Sequence, residues 1–430
     1  MTARDRLEAC LARIGDPAGE GSRAFIRLYA DTAREAADAA DARARRGLPL
    51  GPLDGRIVSV KDLFDMPGEV TTAGSVLLAD AEPARTMAPA IARLQAAGAV
   101  LVGRTNMTEF AFSGVGINPH YGTPGNPADR SRIPGGSSSG GAVSVADGMA
   151  EIAIGSDTGG STRIPAALCG IVGLKPSQYR MPCDGAFPLS YALDSIGPMA
   201  GNVADCALAD AVMAGETPAV PAAASLAGLR LGIPKGPLLE GMEGPVAQAF
   251  EAALARLGQA GARLSDEPLD LLAEAAAVNA KGGFAAAEAF FIHRAWIDER
   301  AARFDPLVRG RIDRGRNIPA ADYIFMQRRR AELVRAMDAR LAGLDALVLP
   351  TVPILAPKIA ELANNEAAFT AANMLLLRNT SVGNFFDLCA ISLPLPKAGG
   401  QNAGLMLVAR NGQDRRLLAI AAGMEKLLAG

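Results

Sequence analysis

The spacing of apolar and polar positions divides the chain into helix-like and strand-like stretches. Residues 3–14 and 31–46, rich in Ala, Arg, Glu and Leu, predict helices because these residue types lose little freedom in a helix. Residues 56–60 (RIVSV) are a β-branched run behind the turn-like Pro52-Leu53-Asp54-Gly55, and predict a strand leading straight into Lys61. A helix over 88–97 closes at Gly98 and a strand follows over 100–103. Further along, the pattern predicts a small-residue helix over 142–148 and strands over 151–154 and 171–174. Beyond a low-complexity Ala/Pro connection at 217–227 it predicts a strand over 229–234 and helices over 246–261 and 270–303, the second interrupted at Gly282-Gly283. A strand over 346–349 and an amphipathic helix over 413–428 complete the pattern, with no repeat of fixed period. Strands alternating with helices predict an α/β fold.

Between Gly122 and Gly185 the pattern is broken by Gly, Ser and Pro, notably Gly135-Gly136-Ser137-Ser138-Ser139-Gly140-Gly141 and Gly155-Ser156-Asp157-Thr158-Gly159-Gly160-Ser161. The clusters flank predicted elements, so they read as loops of a folded core and not as a linker. Composition narrows the chemistry. Only two histidines occur, His120 and His293, so a His-based triad or a multi-histidine metal site has almost no ligands to draw on. The five cysteines are scattered without C-x-x-C spacing, which predicts reduced thiols and a cytoplasmic setting. A net charge of −2 gives no basic footprint for nucleic acid. No run of 18 apolar residues and no signal-like segment is present, so no membrane association is expected.

A serine hydroxyl is a weak nucleophile unless a base takes its proton and donors stabilise the oxyanion. In Gly159-Gly160-Ser161 the two glycines allow a tight turn with successive N–H groups aimed at one spot. With histidine scarce, a lysine is the alternative base, provided burial lowers its ordinary pKa of about 10.4. Lys61 follows the apolar run Ile57-Val58-Ser59-Val60, although an isolated strand-end lysine more often reaches for solvent. Ser137 can accept and donate at once and so relay a proton between Lys61 and Ser161. A phosphate-cradling loop is the competing reading of the Ser137 cluster, but no lysine follows Gly140 or Gly141 as that loop requires.

Val60-Lys61-Asp62, the stretch from Pro134 to Gly141, and that from Gly155 to Arg163 with Pro165, Cys169-Gly170 and Gly173-Leu174-Lys175-Pro176 resemble the amidase signature family in order and spacing. The likeness covers most of the chain. It implies an amidase signature fold, a large mixed β-sheet covered by helices on both faces. It also implies one domain over 1–430, with a catalytic core at about 51–205 and residues 206–430 completing the sheet and shaping the pocket. By the same resemblance Ser161 matches the acylated nucleophile, Lys61 the general base, and Ser137, after a cis peptide, the bridge between them. Thr158, Gly159 and Gly160 match oxyanion-hole backbone, and Ala111 in Phe110-Ala111-Phe112 matches pocket lining, with core packing an equal alternative. Ser138, Asp157 and Arg163 match residues that brace the loop; an Asp157–Arg163 pair is expected.

The implied activity is hydrolysis of a small carboxamide, with neither metal nor organic cofactor. The alternative is the glutaminase (A) subunit of a tRNA-dependent amidotransferase, which would require a B-type partner subunit. That subunit type carries a Gly-Tyr-Tyr-like stretch in its later third, where this chain has only Tyr323. A homodimer is compatible with the free-standing reading. A biuret- or allophanate-type hydrolase and a catalytically silent scaffold rank below both. Phe284, Phe290, Phe291 and Trp296 are expected to cluster on one helix, as core packing more than as an acyl pocket.

Overall fold

The computed structural model describes residues 1–428. Its strands are β1 (Phe25–Leu28), β2 (Ile57–Lys61), β3 (Val100–Thr105), β4 (Ile152–Ser156), β5 (Val172–Lys175), β6 (Ile196–Ala200), β7 (Arg230–Lys235), β8 (Arg263–Pro268), β9 (Ala346–Pro350), β10 (Cys389–Ala398) and β11 (Gln401–Ala409). They form one 11-stranded sheet in the order β1-β3-β2-β4-β6-β5-β10-β11-β9-β7-β8. The sheet is mixed: β3, β2 and β4 run parallel, as do β9, β7 and β8, and antiparallel pairs join these two groups. The α/β reading therefore holds, with helices packed on a sheet whose central strands β2 to β6 are buried along their whole length.

Chemistry at the sheet follows from strand direction. Ile57–Lys61 is parallel to both neighbours, so Lys61 emerges at the carboxyl end of β2 beside Ser156 at the end of β4. Sites in α/β sheets lie at such ends. The helix Ser139–Ala146 starts within the Ser137 cluster, three residues earlier than the pattern predicts, because the serines and glycines themselves form its first turn. The helix expected over 270–303 is two helices, Leu271–Asn279 and Gly283–His293, with left-handed Gly282 and Gly283 (φ 121° and 75°) between them, and turns from Arg294 onward.

The four aromatic residues expected to cluster do not. Phe284 is buried against Tyr323 and Phe385, with ring centroids 5.9 and 6.4 Å away. Phe290 lies under the Arg316 guanidinium, Phe291 is 53% exposed, and Trp296 meets His293 edge-on. The helix Gly283–His293 turns Phe284, Phe290 and Phe291 toward different neighbours and ends before Trp296, so sequence proximity did not mean contact. No helix among the described residues is long and apolar enough to cross a membrane.

Candidate active site

Three loops meet at the end of β2. Lys61 is fully buried, and its Nζ lies 2.7 Å from Ser137 Oγ and 2.9 Å from Ser156 Oγ. Burial lowers its pKa to about 7, against the opposing pull of the Asp157 and Asp194 carboxylates. A lysine in this state is partly neutral at physiological pH and can accept a proton. Ser156 is a contact that the motifs alone do not single out. A signal for it exists all the same, since a serine ending a strand parallel to β2 faces the same sheet edge as Lys61.

The Gly136–Ser137 peptide is cis. Gly136 N–H donates to the Gly114 carbonyl at 2.8 Å and the Ser137 carbonyl accepts from Thr108 N–H at 3.0 Å. These bonds tie the Ser137 loop to residues 108–114. Within that stretch Phe110 and Ala111 both adopt left-handed backbone, φ 49° and 59°, and both are buried. Ser138 N–H donates to the Ser161 carbonyl at 3.3 Å, and a Cβ on Gly155 would stand 2.6 Å from Ser138 Oγ, so the two Ser/Gly loops are in direct contact.

Ser161 follows β4 and is 3% exposed. Its loop is held from behind by a fully buried ion pair: Arg163 Nη2 and Nε contact the two Asp157 carboxylate oxygens at 2.8 and 3.0 Å. The Asp157 carboxyl is pushed well below the usual carboxylate range, because the Arg163 charge outweighs the cost of burial. Asn384 completes the brace, accepting from Arg163 and donating to Asp157 Oδ1, each at 2.8–2.9 Å. Arg163 is thus fully occupied by Asp157, Asn384 and the Thr380 carbonyl. Thr380 Oγ1 also donates to the Gly159 carbonyl at 2.6 Å. Neither Thr380 nor Asn384 belongs to a motif; they lie more than 200 residues away on the helix Glu366–Phe385.

The oxyanion expectation needs one correction. Gly160 N–H donates to Asp157 Oδ1 at 2.8 Å and is committed to the brace. The N–H groups of Thr158, Gly159 and Ser161 make no hydrogen bond among the described residues, which leaves three donors in place of the run through Gly160. Gly160 still has to be glycine. Its φ is 136°, and a Cβ there would lie 2.2 Å from Thr380 Oγ1. The Thr158 hydroxyl donates to Asp194 at 2.5 Å, and Asp194 in turn accepts from the N–H groups of Leu189 and Ser190.

A buried lysine amine bonded to the Ser137 and Ser156 hydroxyls thus lies at the sheet end beside a braced serine loop with free N–H groups, while no hydrogen bond joins Ser161 Oγ to Ser137 or Lys61 among the described residues. The Amidase family model matches residues 5–418. The chain belongs to the amidase signature family. It is 40% identical to a 2-amino-5-chloromuconic acid deaminase of Comamonas testosteroni over 92% of this chain and 86% of the relative. It is 38% identical to the A-type subunit of the glutamyl-tRNA(Gln) amidotransferase of Chloroflexus aurantiacus over 99% of this chain and 93% of that one. A solved amidase structure superposes with a TM-score of 0.89 at 32% identity, covering 100% of this chain and 96% of the other. The protein is an amidase signature enzyme, an amidohydrolase.

Proposed function

We propose that the enzyme hydrolyses a small carboxamide through an acyl-enzyme on Ser161, with Lys61 as general base and Ser137 as proton bridge. The observation that carries this reading is the 2.7 Å contact between Lys61 Nζ and Ser137 Oγ inside the buried end of β2. Neutral Lys61 takes a proton from Ser161 by way of Ser137, and Ser161 Oγ attacks the amide carbonyl. The Thr158, Gly159 and Ser161 N–H groups stabilise the oxyanion, and Ser156 fixes Lys61 from the other side. The proton then passes to the departing nitrogen, because an amide nitrogen must be protonated to leave. Water cleaves the resulting ester by the reverse relay. Ala111 lines the pocket entrance, and Ser138, Asp157 and Arg163 hold the loops.

A second reading is favoured by the amidotransferase relative, which matches nearly the full length of the chain. In it, glutamine is the amide and a partner subunit receives the ammonia.

The test is a screen of aliphatic, aromatic and amino-acid amides with wild type and Ser161→Ala. The variant is expected to lose at least about 10³-fold in kcat and to form no covalent acyl adduct by mass spectrometry. Turnover retained in the variant would exclude Ser161 as nucleophile. Strong preference for glutamine, with co-purification of a second polypeptide, would select the amidotransferase reading.

A further inference from the structure

One cation beside the site has no counter-charge. Arg311 lies on the helix Pro306–Asp313, whose start is anchored to the site region because Asp305 N–H donates to the buried Glu109 carboxylate at 2.8 Å. Leu307 of the same helix packs into the apolar group that contains Val115, Ile164 and Leu376. This mooring lays the Arg311 guanidinium over the Phe112 ring, 4.7 Å from its centroid. Arg311 Nε is buried without a hydrogen-bond partner, and no carboxylate pairs with the side chain among the described residues. Neighbouring Arg314 adds a like charge, and burial together with that charge lowers the guanidinium pKa to about 10.

A second orphan donor borders the same stretch of chain. Asn373 Oδ1 accepts from Gly114 N–H at 2.8 Å and contacts Ser113 Oγ at 3.2 Å, which fixes the amide orientation. Asn373 Nδ2 is then a buried N–H donor with no acceptor. Residues 112–114 run beside the Ser137 loop, since Gly114 accepts from Gly136 N–H. Buried donors are normally paired, and a guanidinium whose Nε has no partner can offer it, with the neighbouring Nη, to a planar two-oxygen acceptor.

We propose that Arg311, assisted by Asn373, binds a carboxylate on the substrate, so that the physiological amide is one that also carries a free carboxylate. This rests on the reading of Ser161 as nucleophile and names the class of molecule presented to it. Phe112 holds the guanidinium by its ring face, and the carboxylate supplies the acceptor for Arg311 Nε and the missing counter-charge.

The experiment compares succinamate and glutaramate with their methyl esters. Wild type is expected to favour the carboxylates by about 100-fold in kcat/KM. In Arg311→Gln the preference is expected to shrink to about threefold, chiefly through a higher KM. Arg311→Lys keeps the charge without the two-donor edge and is expected to fall between. Equal kcat/KM for acid and ester in wild type, or full preference retained in either variant, overturns the proposal; if Arg311→Gln does not fold, Arg311→Lys decides. Calorimetric binding to Ser161→Ala separates the two inferences. Acid-selective binding there supports the carboxylate site even if that variant still turns over, an outcome that would remove Ser161 alone. Equal binding of acid and ester to Ser161→Ala removes the carboxylate site whatever the nucleophile.

Discussion

In the proposed mechanism Lys61 is the base, and its environment makes a prediction about pH. Burial, the dominant effect, brings its pKa to about 7, so at pH 6 most of the enzyme holds a protonated lysine that cannot accept the serine proton. The kcat/KM is therefore expected to rise with pH below 7 and to level off above pH 8. A pH–rate profile on an uncharged amide measures this. A flat profile between pH 5 and 8 would rule out a titrating lysine base. The carboxylates acting on Lys61 are Asp157 and Asp194. Asp157 is locked by Arg163 and remains charged throughout this range, but Asp194 is raised to about 6 by burial, so the lower limb should be shallower than a single titration would give.

At the scale of elements, the strands that hold the site depend on close approaches only glycine permits. β6 lies between β4 and β5, and a Cβ on Gly197 would stand 2.0 Å from the Leu174 carbonyl oxygen. Neither strand can move aside, because each is paired on its other edge. Gly197→Ala is expected to destabilise the fold by about 3 kcal/mol in urea titrations, whereas Gly201→Ala, with open space around it, should change stability by less than about 1 kcal/mol. Equal effects would show that β6 tolerates displacement. The same strand explains what the sequence conceals. The pattern predicts no strand over 196–200, which Gly197 and Pro198 interrupt, yet the ladder from β5 reaches only Met199 and Ala200, so the N–H missing from Pro198 is not needed on that side. In β10, Pro394 lies beyond Ser392, the last residue paired to β5, and the β10–β11 hairpin closes at left-handed Gly399-Gly400. Prolines and glycines thus hid two central strands, while β2 and β4, apolar and uninterrupted, were legible. The site follows the same division. Lys61, Ser137, Ser161, Asp157 and Arg163 stand in local motifs that betray them. Thr380, Asn384 and Arg311 sit on helices whose sequence carries no local sign of the loops they face, and only the tertiary structure brings them there.

For the molecule as a whole, the buried lysine sets catalysis against stability. The folded-state pKa of Lys61, about 7, lies below its unfolded value of about 10.4. Between these values the unfolded chain binds more protons, so the lysine's cost to folding is largest near and below pH 7 and disappears as pH rises toward 10.4. Lys175 is lowered in the same sense, to about 8, but its partners are the Pro176 and Leu388 carbonyls and it is common to wild type and any Lys61 variant, so it cancels in their difference. Asp194 and Asp210, each raised to about 6, act in the opposite sense at lower pH, which makes pH 7 the useful lower bound. Lys61→Met removes the ionisable group and leaves the Ser137 and Ser156 hydroxyls without it, a loss of about 1 kcal/mol each. The variant should therefore be inactive yet more stable than wild type at pH 7, by a margin that shrinks steadily and reverses by pH 10. Urea unfolding of both proteins at pH 7, 8.5 and 10 checks this. A difference that does not vary with pH would mean that Lys61 keeps the same protonation state folded and unfolded, and would also remove the basis for its role as the base.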